Sequence, residues 1–428
     1  MIQNIICPVR PCAYAFLRRP NPTVIGRSMS SARRTIRLLI ISDTHSDDHL
    51  KDVSPPLPRS GVILHCGDLT VASRADELER TLTMLRALDA PLKLVIPGNH
   101  DFNLAPGYWK WTREYGNASQ HKTLDVGGVS AQAREAGAED KENDADTKAS
   151  WDLLRRAARH DGIFILPQGT HTFLVTPPAP RRSASARFRI FASPLTPRGG
   201  TWGFQYDRSN PIKWATLVPP LITTTKGVDS AVDVVMTHGP PWGIRDGKDL
   251  GMTETGCAGL LAAVERARPR VHCFGHIHKA WGAELIAWKR EVVASDAGDE
   301  RVAFRGPSAP TLGNLVDAQG SRVVASRTPS QDPAAFDGGE ETVDPPPPGW
   351  VTQRHQVLPR EEGGCCVVDI SPEGEHAVEP GTQTLCVNAS VELRASPPRR
   401  PWLVDVDLPV ANKEDAAAAA ETRGRLLL

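Results

Sequence analysis

Leu38-Leu39-Ile40-Ile41-Ser42-Asp43-Thr44-His45 decides the fold class: an aliphatic run of strand length passes directly into a polar cluster holding a carboxylate and an imidazole. The same transition recurs along the chain. Val62 to Leu64, Leu92 to Ile96, Phe188 to Phe191, Val232 to Met236 and Val271 to Phe274 are short apolar runs enriched in β-branched residues, and each ends in polar residues. Between them lie helix-like stretches in which Leu78, Leu82 and Leu85 share one face, as do Leu260, Leu261 and Val264. Strands alternating with helices predict an α/β layered domain. Thr384 to Val387 and Trp402 to Leu408 read as strands again, so the irregular segment before them is expected to be an insertion inside one domain.

Chemistry gathers where the strands end. The first ends in Ser42-Asp43-Thr44-His45, the second in Gly67-Asp68 and the third in Gly98-Asn99-His100-Asp101. A later strand ends in Thr237-His238-Gly239, and the last of the set in Gly275-His276-Ile277-His278. In an α/β sheet, residues at the carboxyl ends of strands converge on one crevice. Two aspartates, one asparagine and four histidines, with His100 beside the asparagine, form the oxygen and imidazole mixture that holds divalent transition metals, or magnesium with less imidazole preference. It is enough for two ions. The i, i+2 spacing of Asp43 with His45, and of His276 with His278, puts each pair on one face of an ideal strand; where the chain turns, the two can splay to neighbouring ions. Single elements have plainer readings. Asn99 suits a turn with positive φ, Asp101 a cap or turn, and His65 and His272 a packed strand. Five elements in this order read as a functional set.

The blocks D-x-H, GD, GNH, H and GHxH, present in that order, resemble the calcineurin-like metallophosphoesterase superfamily. Ser193-Pro194-Leu195-Thr196-Pro197 followed by Trp202-Gly203-Phe204, the run from Thr237 to Asp246, and Asn388-Ala389-Ser390 make the chain most similar to the metallophosphoesterase-domain-containing (MPPED) group. The resemblance spans about Arg37 to Pro409 apart from two insertions. It implies an α/β fold of two mixed β-sheets packed as a sandwich flanked by helices (α/β/β/α). It also implies that Asp43, His45 and His278 hold a first metal, that Asp68 bridges, and that Asn99, His238 and His276 hold a second. The ions would be manganese, iron, zinc or magnesium, and would make a water between them acidic enough to attack phosphorus in line. His100 matches the superfamily's non-ligand histidine, placed to give a proton to the leaving oxygen, a task suited to imidazole. Its plainer role is to orient Asn99 or Asp68. One branch of the MPPED group has glycine at the first histidine of the last block; His276 is present here, so two competent metal sites are expected.

The continuation Leu69-Thr70-Val71-Ala72-Ser73 lacks the Asp-Arg-Gly that resembles a protein phosphatase. The expected reaction is therefore hydrolysis of phosphodiesters, with small or cyclic nucleotides as the class suggested by the resemblance. A phosphomonoesterase or protein phosphatase on the same metals, and a metal-stabilised interaction scaffold, are the alternatives. Arg198, Trp202, Phe204, Trp242 and Arg245 form a candidate wall in which guanidinium pairs with phosphate and indole stacks on a base; packing of the aromatic residues is the plainer reading.

Composition limits the remaining classes. Fifty basic against fifty acidic residues exclude the global positive field of a nucleic-acid polymer binder, and no apolar run approaches the ~18 residues of a membrane span. Eight cysteines without CxxC spacing argue against a disulfide scaffold and suit a reducing compartment. Residues 1–36 are expected to be a basic, irregular leader; because the chain is rich in arginine and free of acid up to Ser42, mitochondrial targeting stands beside a cytoplasmic location. The domain is expected over 37–410, with disordered insertions near 126–150 and 298–364 and a disordered tail over 411–428. Pro345 to Pro348 in the second insertion offer a ligand for a protein partner.

Overall fold

Short apolar runs with no polar face need cover on both sides, and the fold supplies it in four layers. The computed structural model describes residues 33–47, 50, 56–106, 108, 136–176, 184–208, 212–224, 227–229, 231–252, 256–288, 351–357 and 359–427. The strands of the first half are β1 (Arg33–Ile41), β2 (Val62–His65), β3 (Leu92–Val95), β4 (Ile163–Ile165), β5 (Gly169–Val175), β6 (Ala186–Ser193), β7 (Thr196–Pro197), β8 (Gln205–Tyr206), β9 (Ile222–Thr224) and β10 (Gly227–Asp229). Then follow β11 (Val234–Thr237), β12 (Val271–Phe274), β13 (Gly282–Trp288), β14 (Val351–Gln356), β15 (Arg360–Glu362), β16 (Cys365–Asp369), β17 (Gln383–Asn388) and β18 (Trp402–Pro409). The helices are α1 (Ala75–Ala87), α2 (Ala136–His160), the single turn α3 (Trp214–Leu217), α4 (Ala258–Ala267) and α5 (Lys413–Leu427).

One seven-stranded sheet runs β15-β16-β18-β1-β2-β3-β4 and the other β14-β13-β17-β12-β11-β6-β5. Both are mixed: β1 to β4 are parallel, as are β6, β11, β12 and β17, with antiparallel strands outside them. Alternation along each strand sorts the layers. Leu38, Ile40 and Leu64 of the first sheet meet Phe188, Ile190, Met236 and Val387 of the second in the core between the sheets. Leu39, Ile41 and Ile63 point the other way, onto Leu78, Leu82 and Leu85 of α1 and Leu154 and Ala157 of α2. On the far side Phe191, Val235 and Phe274 pack against Leu260, Leu261 and Val264 of α4. The α/β/β/α sandwich expected from the resemblance is what forms.

Register is fixed where it matters for the site. Arg37 and Asp405 are direct partners across the β1–β18 pair, and the guanidinium donates to both carboxylate oxygens at 2.8 and 2.7 Å. A one-residue slip would break that fork and turn Leu38 and Ile40 out of the core.

Four boundaries differ from the sequence expectation. β1 already begins at Arg33, and residues 1–32 lie outside the described residues. Residues 136–150, expected in a disordered insertion, are the first part of α2; Ala, Glu and Lys are strong helix formers, and the helix continues into the packed stretch around Leu154. Residues 351–356 and 360–362, placed in the second insertion, are strands β14 and β15. β14 pairs antiparallel with β13, so one sheet receives the chain on both sides of residues 289–350. Those residues, including the Pro345 to Pro348 run, lie outside the described residues. The expected tail forms α5, where Asn412 and Asp415 cap each other reciprocally, Asp415 N donating to Asn412 Oδ1 at 2.8 Å and Asn412 N to Asp415 Oδ2 at 3.0 Å. Among the described residues, no helix is long and apolar enough to cross a membrane.

Candidate metal centre

The parallel strands of both sheets deliver their last residues to one place. His238 N donates to Ser193 O at 3.1 Å, Gly275 N to His238 O at 3.0 Å and Asp43 N to Gly67 O at 2.9 Å, so the strand-end loops are tied edge to edge. Sharp turns are required there. Asp43, His45, Asp68 and His276 all have positive φ, between 47° and 68°, which costs about 1–3 kcal/mol at each non-glycine residue unless the surroundings enforce it. Two glycines make room for the carboxylates: a side chain on Gly98 would strike Asp68 Oδ1, and one on Gly275 would strike Asp43 Oδ2.

The converging side chains form three overlapping acid and imidazole groups: Asp43, His45 and His278; His45, Asp68 and His100; and Asp68, His238 and His276. His278 Nε2 lies 3.4 Å from Asp43 Oδ1, His45 Nε2 3.8 Å from Asp68 Oδ2, and His238 Nε2 3.3 Å from Asp68 Oδ1. Backbone carbonyls settle which ring nitrogens carry protons. His45 Nδ1 donates to Thr70 O at 3.1 Å and His238 Nδ1 to Cys66 O at 2.9 Å. Neutral rings so held turn the Nε2 lone pair inward. There His238 Nε2 meets Asn99 Oδ1 at 2.9 Å and Asp68 Oδ1, and His45 Nε2 meets His278 Nε2 at 3.2 Å. Lone pairs facing lone pairs repel unless a cation lies among them. The donor set therefore fits divalent ions.

The electrostatics agree. Burial pulls the His238 imidazole down, but the adjacent Asp68, hydrogen-bonded to it, and Asp43 outweigh burial and push it up to about 9, so without an ion a proton takes the cation's place. Burial and the facing His238 push His276 down to about 4, which leaves a neutral ligand. Burial raises the carboxyls of Asp43 and Asp68, yet the surrounding imidazoles hold both below the usual carboxylate range.

His100 and Asp101 do different work. His100 N donates to Asp68 Oδ1 at 2.9 Å and its Nδ1 to Val71 O at 2.7 Å, which leaves Nε2 to face the cluster. The Trp202 indole lies on the His100 ring, centroids 4.2 Å apart and planes 32° from parallel. Gly203 N donates to Asn99 O at 3.0 Å, so the loop bearing Trp202 is bonded to the loop bearing Asn99 and His100. Asp101 is no ligand. Its carboxylate accepts from Leu69 N, Thr70 N, Thr70 Oγ1 and Gly98 N at 2.6–3.0 Å and so fastens the Asp68 loop to the Asn99 loop.

Of the proposed substrate wall, only Trp202 touches the cluster in a described contact. Trp242 packs against the apolar cluster beneath α4 with the Lys248 ammonium 3.8 Å from its ring centroid, so the packing reading describes it. Arg245 Nε lies 3.0 Å from Glu284 Oε1 and its Nη2 donates to Ala283 O at 3.3 Å. Arg198 joins the β7–β8 pair through its N–H to Tyr206 O at 2.8 Å. Phe204, with φ of 53°, packs against the cluster under α1.

His65 and His272 are fully buried strand residues, one in each sheet, behind the ligands. Each Nε2 pairs with a threonine, Thr44 at 2.9 Å and Thr237 at 3.0 Å, while each Nδ1 lacks a partner. Burial pushes His65 down to about 4 and His272 to about 3. Unfolded, each titrates near ~6.5. Below that pH the unfolded chain binds protons that the native chain refuses, so stability falls as pH drops from about 6.5 towards 4, by roughly 1.4 kcal/mol per pH unit for each histidine. Urea melts of chelator-treated protein at about pH 7 and about pH 5 are expected to differ by roughly 2 kcal/mol less in His272→Gln than in the parent. An unchanged difference would contradict the assignment.

A four-layer sandwich whose strand ends bring oxygen and imidazole ligands into overlapping clusters defines a metallophosphoesterase. The sequence profile of the calcineurin-like phosphoesterase family matches residues 36–280, more than half of the chain, and the chain belongs to that family. It is 27% identical over 255 residues to metallophosphoesterase domain-containing protein 1 of Homo sapiens, covering 58% of this chain and 61% of that protein. A UPF0046 protein of Caenorhabditis elegans is 29% identical over 250 residues, 58% of this chain and 52% of its own length. Probable rhamnogalacturonate lyase C of Emericella nidulans is 27% identical over 272 residues, 62% of this chain but 20% of that protein. The chain thus spans between one fifth and three fifths of these relatives.

Proposed function

We propose that the chain is a dinuclear phosphoesterase that prefers phosphodiesters, small nucleotides among them. Asp43, His45 and His278 would hold one divalent ion and Asn99, His238 and His276 the other, with Asp68 reaching towards both groups. The observation that carries this reading is the inward convergence of imidazole lone pairs whose far nitrogens are committed to Thr70 O and Cys66 O. Ions bound there would supply Lewis acidity and an acidic water as the nucleophile, a task that the candidate site, as described, assigns to no serine or cysteine. The chain's own residues do the rest. Asp68 takes one oxygen towards His45 and the other towards His238. In its doubly protonated form His100 gives the Nε2 proton to the leaving oxygen and is left neutral, while the Nδ1–H bond to Val71 O fixes the ring.

Trp202 holds that ring from the side. An aromatic pair is worth about 0.5–1.5 kcal/mol beyond its buried area. Trp202→Ala is therefore expected to lower kcat roughly two- to tenfold on a diester with a poor leaving group, with metal content unchanged. Trp202→Phe should recover most of the loss; equal losses in both variants would remove the stacking role. For the reaction class itself, kcat/KM is expected to be higher on an aryl phosphodiester or a cyclic nucleotide than on a phosphopeptide. The missing Asp-Arg-Gly after Asp68 supports that order. Preference for the phosphopeptide would overturn it.

A further inference from the structure

Asn388-Ala389-Ser390 lies more than a hundred residues beyond the segment that matches the family, yet it reaches the centre of the site. Ala389 N donates to Phe274 O at 2.8 Å, at the end of β12 in one sheet, and Val391 N donates to Ser42 O at 3.0 Å, at the end of β1 in the other. The triplet is thus a backbone clasp between the two sheets, placed directly behind Asp43 and His276. Both polar side chains are fully buried. Asn388 Nδ2 donates to Ile277 O at 3.0 Å and to Arg245 O at 3.1 Å, which fixes the His276 to His278 turn and the loop beside it. Ser390 Oγ lies 2.8 Å from Asp43 Oδ2 and 3.0 Å from Asn388 Oδ1.

A hydroxyl has one proton to give, and the surroundings decide where it goes. Asn388 Oδ1 already accepts Ser390 N–H at 3.2 Å, and it is neutral. Asp43 is charged, and a hydrogen bond to a carboxylate is roughly twice as strong as a neutral one. The hydroxyl therefore donates to Asp43 Oδ2. His276 N adds a contact at 3.0 Å to each Asp43 oxygen. Oδ2 is held from behind, and Oδ1 is the oxygen turned to His278 Nε2.

We propose that Ser390 is a positioning residue for Asp43, and that the Asn388-Ala389-Ser390 clasp sets the affinity of the Asp43, His45 and His278 ion site selectively. This rests on the two-ion reading above and adds to it a residue outside the family segment. Outer partners of metal ligands change affinity by about 10–100-fold.

The test titrates Mn2+ into chelator-stripped, full-length protein and reads free Mn2+ by electron paramagnetic resonance. The parent is expected to bind two ions. Ser390→Ala should bind one as the parent does and the other about 10–100-fold more weakly, with its metal-free melting temperature close to the parent's. Two parental affinities in the variant, or equal weakening of both, would overturn the proposal. A parent that binds no ion would instead sink the two-ion reading. If Ser390→Ala melts far below the parent, Ser390→Cys, which fills the same space with a weaker donor, carries the test: weakening confined to one ion supports the clasp, and two parental affinities overturn it.

Discussion

Asp68→Asn is expected to leave the protein without measurable phosphodiester hydrolysis. Asp68 presents one oxygen to His45 and the other to His238, and it also accepts the His100 N–H. The amide keeps the shape, removes the charge, and turns an N–H donor towards a place that needs a lone pair. Bound ions supply several kcal/mol of transition-state stabilisation, so kcat should fall by at least about 10³-fold, with ion content below two per chain by elemental analysis. A second readout needs no ion. Asp68 is the main group that holds His238 up at about 9 in the metal-free protein, so the His238 ring should titrate at lower pH in the variant when followed by NMR. Parental turnover with parental ion content would remove Asp68 from the centre of the account.

The second large effect belongs to His100. His100→Ala should lower kcat by about 10²–10⁴-fold while both ions remain bound, because the ring's Nδ1 is committed to Val71 O and its task lies at Nε2. The loss should shrink on an ester with a very good leaving group, such as a nitrophenolate, which departs without a proton. If the variant loses an ion, His100 is a ligand, as its place beside His45 and Asp68 in one of the three clusters permits. If the loss is the same for good and poor leaving groups, it is structural.

The cluster of candidate ligands was legible in the sequence because each block is short and sits where an apolar run stops. Asp43, His45, Asp68, Asn99, His238, His276 and His278 all meet in the fold, and they do so because β1 to β3 and β6, β11 and β12 are parallel strands whose carboxyl ends face one crevice. What the sequence hid depends on distant contacts. The hydroxyl of Ser390 meets Asp43 across 347 residues of chain; the triplet Asn388-Ala389-Ser390 stands out in the sequence as a motif, but nothing local says which side chain it touches. Stacking and packing were both open for Trp242 in the sequence, and in the fold it packs beneath α4 with Lys248 over its ring. Arg245 looked free to bind phosphate, yet it lies beside Glu284, which also accepts from Arg354 Nε at 2.8 Å.

Some secondary structure was hidden for a different reason. Glu284 interrupts the apolar run of β13, β14 reads Val-Thr-Gln-Arg-His-Gln, and β15 is exposed along its length, so none of the three shows the uninterrupted apolar run that marks a parallel strand covered on both faces. α5 reads as a bland alanine run because it buries little, with Asp415 reaching Arg189 at 3.1 Å and Thr422 Oγ1 accepting from Thr172 N at 3.3 Å. α2 begins in a stretch dense in Glu and Asp, a composition that hides the helix, and Leu154 and Ala157 in its second half pack into the core.

The central claim is that the crevice at the strand ends is a two-ion phosphoesterase centre. Its most direct test is to strip the full-length protein with a chelator and measure hydrolysis of an aryl phosphodiester as Mn2+ is returned, with bound Mn2+ counted at each point. The account predicts no turnover in the stripped protein and recovery that follows occupancy of the second ion. Full turnover without any bound ion, or complete recovery with a single ion, would contradict it.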